Sequence, residues 1–286
     1  MLSLKEIKDR IHSVASITQI TGAMKMVSAA KLKKAQEAVI RVRLYAKKIK
    51  KLLGALCTVV REDTLQRYTV APLRGKILYI VVTSNRGLCG AFNSSIVREV
   101  TRIVKGRHAE EIQLLTIGKK GKDLLSRKYT LYADWSDLFD MLSFERISEV
   151  TDGLIRECLE GTFTEVELVY NRFKNALSQE VIIEKIFPII VPEVETSEHA
   201  SDYIFEPSKE VFFHQLLLKA LKVQFFRAIL ESYASEHGAR MTAMYKATEN
   251  ASDLKADLIL TYNKARQEFI TKEILEIVGG VEALNG

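Results

Sequence analysis

Apolar residues recur in alternating steps of three and four at both ends of this chain, and in short continuous runs in its middle. Near the start the rhythm is Leu4, Ile7, Ile11 and Val14. It returns at Ala35, Val39, Val42, Ala46, Ile49, Leu53 and Leu56. So narrow a seam fits a coiled coil, and the spacing predicts one helix over 4–56. Ser3 and Glu6 form an S-x-x-E capping box, with Leu2 and Ile7 placed for a hydrophobic staple. Between the two runs, Ile17 to Gln36 is polar and rich in Ser and Ala, with Gly22, Met24 and Met26. That stretch reads as a locally loose coiled coil, or as a small-residue face that lets another backbone or a surrounding protein approach closely.

The far end mirrors the start. Pro207-Ser208 marks a helix beginning, with Ser208 as N-cap and Glu210 in the first turn. Phe212, Phe213, Leu216, Leu217, Ala220 and Leu221 form a wide apolar face suited to packing on a domain. The face then narrows to Met244, Ala247, Ala251, Leu254, Leu258, Thr261 and Ala265. Gly279-Gly280 is expected to stop this helix, predicted over 209–278. At 1.5 Å per residue the two helices would span roughly 80 and 100 Å, too long for an ordinary domain. As first and last elements, they pair antiparallel if a compact middle brings the chain ends together.

The middle is different in kind. Lys76 to Thr83 (KILYIVVT) is a continuous apolar run, the mark of a strand covered on both faces. A helix follows from about Asn93 to Val104. Further strands are predicted at Ile112 to Ile117, Glu165 to Phe173 and Val181 to Val191, with a helix over Ser143 to Leu159. Alternating strands and helices predict an α/β, Rossmann-like domain with a parallel or mixed sheet. The expected organisation is therefore an N-terminal coiled-coil helix over 1–57, a central α/β domain over 75–195 and a C-terminal coiled-coil helix over 208–286.

Charge changes the picture at one end only. Residues 1–51 hold thirteen Lys or Arg against three Asp or Glu, a net of +10, while the whole chain carries +6. A basic helix points to nucleic acid, an anionic surface or an acidic protein partner. No aromatic residue that would stack on bases precedes Tyr45, and no DNA-binding signature is present. No apolar run approaches the roughly 20 residues of a membrane span. Cys57, Cys89 and Cys158 are too few and too scattered for a disulfide framework or a zinc site, so three free thiols are expected.

Chemistry is sparse. The loop Ser84 to Asn93 holds Gly87, Gly90 and Arg86 before a helix, which invites a phosphate-binding reading. It lacks the Gly-Lys-Ser/Thr of a Walker A loop and the three spaced glycines of a Rossmann turn. Gly118-Lys119-Lys120-Gly121 reads as a helix start. The five histidines show no metal spacing, and no nucleophile motif occurs. No catalytic, cofactor or metal residue is expected.

Four segments together carry a family likeness: KEIKDRIHSVASITQITGAMKMVSAAKLKKAQ, TSNRGLCGAFN, DYIFEP, and ENASDLKADLILTYNKARQEFITKEILEIVGG. In this order, across nearly the whole chain, they resemble the gamma subunit of the F-type ATP synthase. The resemblance implies a non-catalytic rotary shaft without cofactor. It would turn inside a ring of alpha and beta subunits, with an α/β foot on the epsilon subunit and the membrane rotor c-ring. It also implies partner-binding roles for Met24 and Lys25 in GAMKM, facing the beta lever, and for Arg266 and Gln267 in NKARQ, facing an acidic beta loop. Tyr203, Phe205 and Glu206 in DYIFEP would meet the c-ring and epsilon. Peripheral association with a membrane through the complex is implied as well, expected on the cytoplasmic face of a bacterial one, since an intact Met1 favours a bacterial protein over an imported one. The chain departs from the family at Gly280-Val281, where Gly-Ala is usual. It also has no Cys after Cys158, unlike the chloroplast type.

Two other readings remain open on the residues alone. One is a coiled-coil adaptor binding nucleic acid through its basic first helix. The other is a nucleotide-using enzyme acting at the Gly87 loop.

Overall fold

The structure is a computed structural model that describes residues 3–57, 60–72, 75–106, 111–139, 142–176, 178–190, 206 and 208–285. Along the chain the elements are α1 (Leu4–Cys57), α2 (Glu62–Thr69), β1 (Lys76–Val82), α3 (Phe92–Lys105), β2 (Ile112–Ile117), α4 (Lys119–Leu125) and β3 (Leu131–Asp134). A short 3-10 turn (Ser136–Phe139) leads to α5 (Phe144–Leu159), β4 (Phe163–Phe173), β5 (Gln179–Phe187) and α6 (Lys209–Asn285). The chain divides into two compact units. The coil unit is Met1–Ser28 with Met241–Gly286, and the α/β unit is Ala29–Arg240.

In the α/β unit the sheet runs in the order β3-β2-β1-β4-β5. The first four strands are parallel, and β5 returns antiparallel to β4. The apolar run of β1 is explained by cover on both faces. Leu78, Ile80 and Val82 face Ile147, Leu154 and Ile155 of α5, with Leu221, Phe225 and Ile229 of α6. Tyr79 and Val81 face the other way, onto Ile96, Val100 and Val104 of α3. A third cluster joins Ile49, Leu53 and Leu56 of α1 to Phe213, Leu216 and Leu217 of α6, with Tyr68 of α2. Here α1 and α6 run antiparallel: Arg43 pairs with Glu231 at 2.8 Å, while later α1 residues meet earlier α6 residues.

The predicted caps are present. Glu6 N–H donates to Ser3 Oγ at 3.2 Å, and Ser3 N–H to Glu6 Oε2 at 2.8 Å. Val211 N–H donates to Ser208 Oγ at 3.3 Å. Leu2, the other half of the staple, lies outside the described residues. Three expectations need correction. Gly279 and Gly280 do not stop α6, which continues to Asn285; nothing crowds either glycine, so each weakens the helix by only about 1 kcal/mol relative to alanine. Strand β5 ends at Phe187 rather than Val191, because Pro188 has no N–H for the ladder. Short β3 and α2 escaped detection, being four and eight residues with little pattern.

The seams also differ from the hydrophobic count. On α1 every step in the series 4, 7, 11, 14, 18, 21, 25, 28, 32, 35, 39, 42, 46, 49, 53, 56 is buried or half-buried. The heptads therefore run unbroken through the polar stretch, where Thr18, Thr21, Lys25 and Ser28 hold the seam positions. The locally loose coil is not what forms. On α6, Leu254 is 50% exposed and Thr261 is exposed, against expectation. The seam instead takes Met244, Thr248, Ala251, Lys255, Leu258, Tyr262 and Ala265. Lys255 and Tyr262 serve there because their stems are apolar and only their tips need water.

Candidate partner-binding surfaces

The coil unit contains four of the seven predicted site residues. Its two helices pair antiparallel: the hydroxyls of Thr21 and Thr248 lie 2.8 Å apart, and Lys25 Nζ sits 5.4 Å from the centre of the Tyr245 ring. Each threonine hydroxyl also reaches a backbone carbonyl one turn back, of Ile17 and Met244. Lys25 is therefore engaged within the pair through a cation–π contact, and Met24 beside it is half-buried. Arg266 and Gln267 are exposed, as is every residue from there to Val281. They lie 21 residues beyond Tyr245, about 30 Å along α6, so the structure does not bring the two predicted sites together. Glu206 is exposed, and Tyr203 and Phe205 lie outside the described residues.

Polarity is inverted along one stretch of this unit. The α1 seam holds Thr18, Thr21, Lys25 and Ser28, while one position around, Ile17, Ile20, Met24 and Val27 form a parallel stripe. Of these Ile17, Ile20 and Val27 are 49%, 60% and 57% exposed. On α6 the outward residues include Leu254, Leu260, Phe269, Ile270, Ile274 and Leu275. Over Thr18–Ser28 polar groups hold the α1 seam and the apolar groups beside them face out, whereas Leu4, Ile7, Ile11 and Val14 keep the start of the seam apolar. A run of exposed apolar surface this long marks contact with another macromolecule. Sequence reading missed it because the polar seam looked like a lapse in the coil; the signal was the second 3-4-3 series one residue out of phase.

The glycine-bearing loop of the α/β unit has a built geometry of another kind. Ser84 Oγ donates to Arg86 O at 2.7 Å, and Ser84 N–H to Asn93 Oδ1 at 3.0 Å. Asn93 Nδ2 reaches Cys89 Sγ at 3.2 Å. From α6, Arg240 Nη2 donates to Arg86 O at 2.9 Å, and Nε to Gly87 O at 3.3 Å. The loop thus turns carbonyls toward a buried guanidinium. A phosphate needs the opposite, a nest of free N–H donors. Gly118 and Gly121 serve close packing: a Cβ on either would lie 2.2 Å from Thr83 O or 2.6 Å from Thr83 Oγ1. Among the described residues no group of three potential metal ligands occurs.

Buried titratable groups surround Arg240. Glu236 Oε1 accepts from Arg240 Nη1 at 2.7 Å; burial raises its carboxyl above the usual range, and Arg240 opposes the rise. His237 packs edge-on against Tyr233 with ring centres 4.5 Å apart. Burial, then the charges of Arg240 and Lys31, lower its pKa to about 3, so it is neutral. All three cysteines are free. Burial raises each thiol, that of Cys158 to about 12. Glu236 and Arg240 were not singled out in the sequence, although their i,i+4 spacing was visible.

Comparison with known proteins bears on these surfaces. The sequence profile of the ATP synthase family matches residues 3–284. The chain is 49% identical to the ATP synthase gamma chain of Flavobacterium johnsoniae over the whole of both chains. It belongs to the ATP synthase gamma chain family. Among solved structures, a chain in the central stalk and c-ring structure of the Tetrahymena thermophila mitochondrial ATP synthase is 28% identical. That match covers 80% of this chain and 99% of that one, with a TM-score of 0.59. A chain of the Euglena gracilis mitochondrial enzyme shares the fold at 23% identity and TM-score 0.68, covering 98% of this gamma-family chain and 94% of its own. No helix among the described residues of this gamma-family chain is long and apolar enough to cross a membrane.

Proposed function

We propose that this gamma-family chain is the central rotary shaft of an F-type ATP synthase and catalyses nothing itself. The shaft couples proton-driven rotation of the c-ring to conformational cycling of catalytic beta subunits. The observation that carries this is the coil unit's outward apolar stripes on α1 and α6, which call for enclosing alpha and beta subunits. Within the shaft, residues 1–57 and 208–286 supply the coil and 75–195 the foot. The foot meets epsilon and the c-ring, with Tyr203, Phe205 and Glu206 at that contact. The chain is held peripherally at the membrane through the complex, on its cytoplasmic face in a bacterium.

A rotor without chemistry acts by differential contact. Driving one beta site almost fully between two states requires contacts that favour one state by about 5.5 kcal/mol. Asymmetric shape supplies this better than adhesion, which would hold the rotor in place. Arg266 is suited to a bidentate bond with a carboxylate of an acidic beta loop, and Gln267 adds a neutral hydrogen bond. The test is Arg266→Ala with Gln267→Ala. Both side chains are exposed, so the fold should change by less than about 0.5 kcal/mol. Losing the charge-assisted contact should cost about 1.5–3 kcal/mol at the interface. Unchanged circular dichroism with a fall in coupled ATP turnover is expected. Assembly and turnover equal to the parent would reject these residues as the contact.

A further inference from the structure

Leu88 is the one non-glycine among the described residues with a left-handed backbone, at φ 61°, and it is 64% exposed. A leucine keeps that conformation only when its surroundings impose it. The carbonyls immediately before it, of Arg86 and Gly87, are the ones that Arg240 binds. The guanidinium is used as a fork: Nη2 donates to Arg86 O at 2.9 Å and to Gly87 O at 3.3 Å, Nε donates to Gly87 O at 3.3 Å, and Nη1 turns back to Glu236 at 2.7 Å. Arg240 and Glu236 are 6% exposed each. A buried charge pair of this kind need not be there for stability, since a well-packed apolar pair often serves stability as well.

We propose that Arg240 is a positioning residue: with Glu236 as counter-charge, it locks the 84–90 loop to α6, so that exposed Arg86 and Leu88 are displayed in one fixed placement relative to that helix. The lock joins elements more than 140 residues apart in the chain. It sits at Arg240, the last α6 residue of the α/β unit. A lysine cannot replace it, because one ammonium does not span two loop carbonyls and a carboxylate in the fork geometry. The consequence for coupling rests on the shaft reading: a locked loop would turn with α6, and a loose one would lag behind it.

The decisive variant is Arg240→Gln with Glu236→Gln in the full chain, which removes both charges together and leaves neither buried alone. Amide hydrogen exchange is followed at residues 84–91 and in strands β1 and β4. Loop exchange should rise about tenfold or more while the strands keep their protection. Arg240→Lys, which keeps the charge balance, should loosen the loop to an intermediate degree. Phe225→Ala should instead raise exchange throughout the unit. Loop exchange unchanged in the double variant, or rising only in step with the strands, would overturn the proposal. In the assembled enzyme, the double variant should pump fewer protons per ATP hydrolysed. A loosened loop with full coupling would overturn the coupling consequence and leave the lock standing. Failure to assemble with alpha and beta subunits in the parent chain would count against the shaft reading alone.

Discussion

The α/β unit and the coil unit use the same two helices in opposite ways. Along Ala29–Cys57, α1 puts Leu32, Ala35, Val39, Ile49, Leu53 and Leu56 into its seam, and α6 from Phe225 to Arg240 is almost wholly buried. Within Leu4–Ser28, the later seam positions are threonine, lysine and serine, and the isoleucines and valine of the adjacent stripe face out. The first arrangement obtains its stability from within the chain. The second leaves apolar surface uncovered, which is favourable only when another protein covers it. Burial therefore separates the part that holds the fold from the part that makes contacts more sharply than hydrophobicity does.

The largest test of this contrast replaces one phenylalanine in each unit. Phe225→Ala empties a fully buried α6 position in the cluster that α6 shares with the sheet and α5, and should cost about 3–5 kcal/mol in urea unfolding of the chain. Phe269 is 57% exposed, so Phe269→Ala should change the same measurement by less than about 0.5 kcal/mol. Its effect should appear on assembly instead. Equal losses in the two variants would break the contrast.

A second test concerns the polar cluster inside the α/β unit. His237 has its folded pKa lowered to about 3 from an ordinary 6.5. Between these values the unfolded chain binds a proton that the folded chain does not. Its contribution is complete above pH 6.5 and is lost as pH falls toward 3, with a slope of at most about 1.4 kcal/mol per pH unit. His237→Phe keeps a ring against Tyr233 and removes the titration. The stability of the parent relative to this variant should fall as pH is lowered through that window. Glu236 contributes with the opposite sign but is common to both chains. A flat difference would show that the site admits the protonated ring.

The smallest effect is expected in the coil seam. Thr21→Val with Thr248→Val removes the 2.8 Å hydroxyl contact and fills the seam with methyl groups. Removing both partners leaves no orphaned group, so unfolding should shift by less than about 1 kcal/mol in either direction. A large loss would make the polar seam the main tie between these helices and would sharpen the contrast in an unexpected direction.

Periodicity in the sequence determined the long helices, their capped starts, three of the five strands nearly to the residue, and the α/β class of the middle. Those features depend on steps of two or three and a half along the chain and on side chains that meet their own backbone, as Ser3 and Ser208 do. Four segments in order, from KEIKDRIHS near the start to the stretch containing NKARQ near the end, pointed to the family. Other features depended on groups far apart in sequence. Whether Thr21 or Ile20 faces the partner helix is decided by the register of α1 against α6, and hydrophobicity favoured the wrong one. The same held for Leu254 against Lys255. Whether the Gly87 loop takes an anion depended on a guanidinium more than 150 residues away already holding its carbonyls. Only tertiary structure decides such matters, because burial and hydrogen-bond satisfaction are properties of neighbours in space, and local pattern constrains those only one helix or strand at a time.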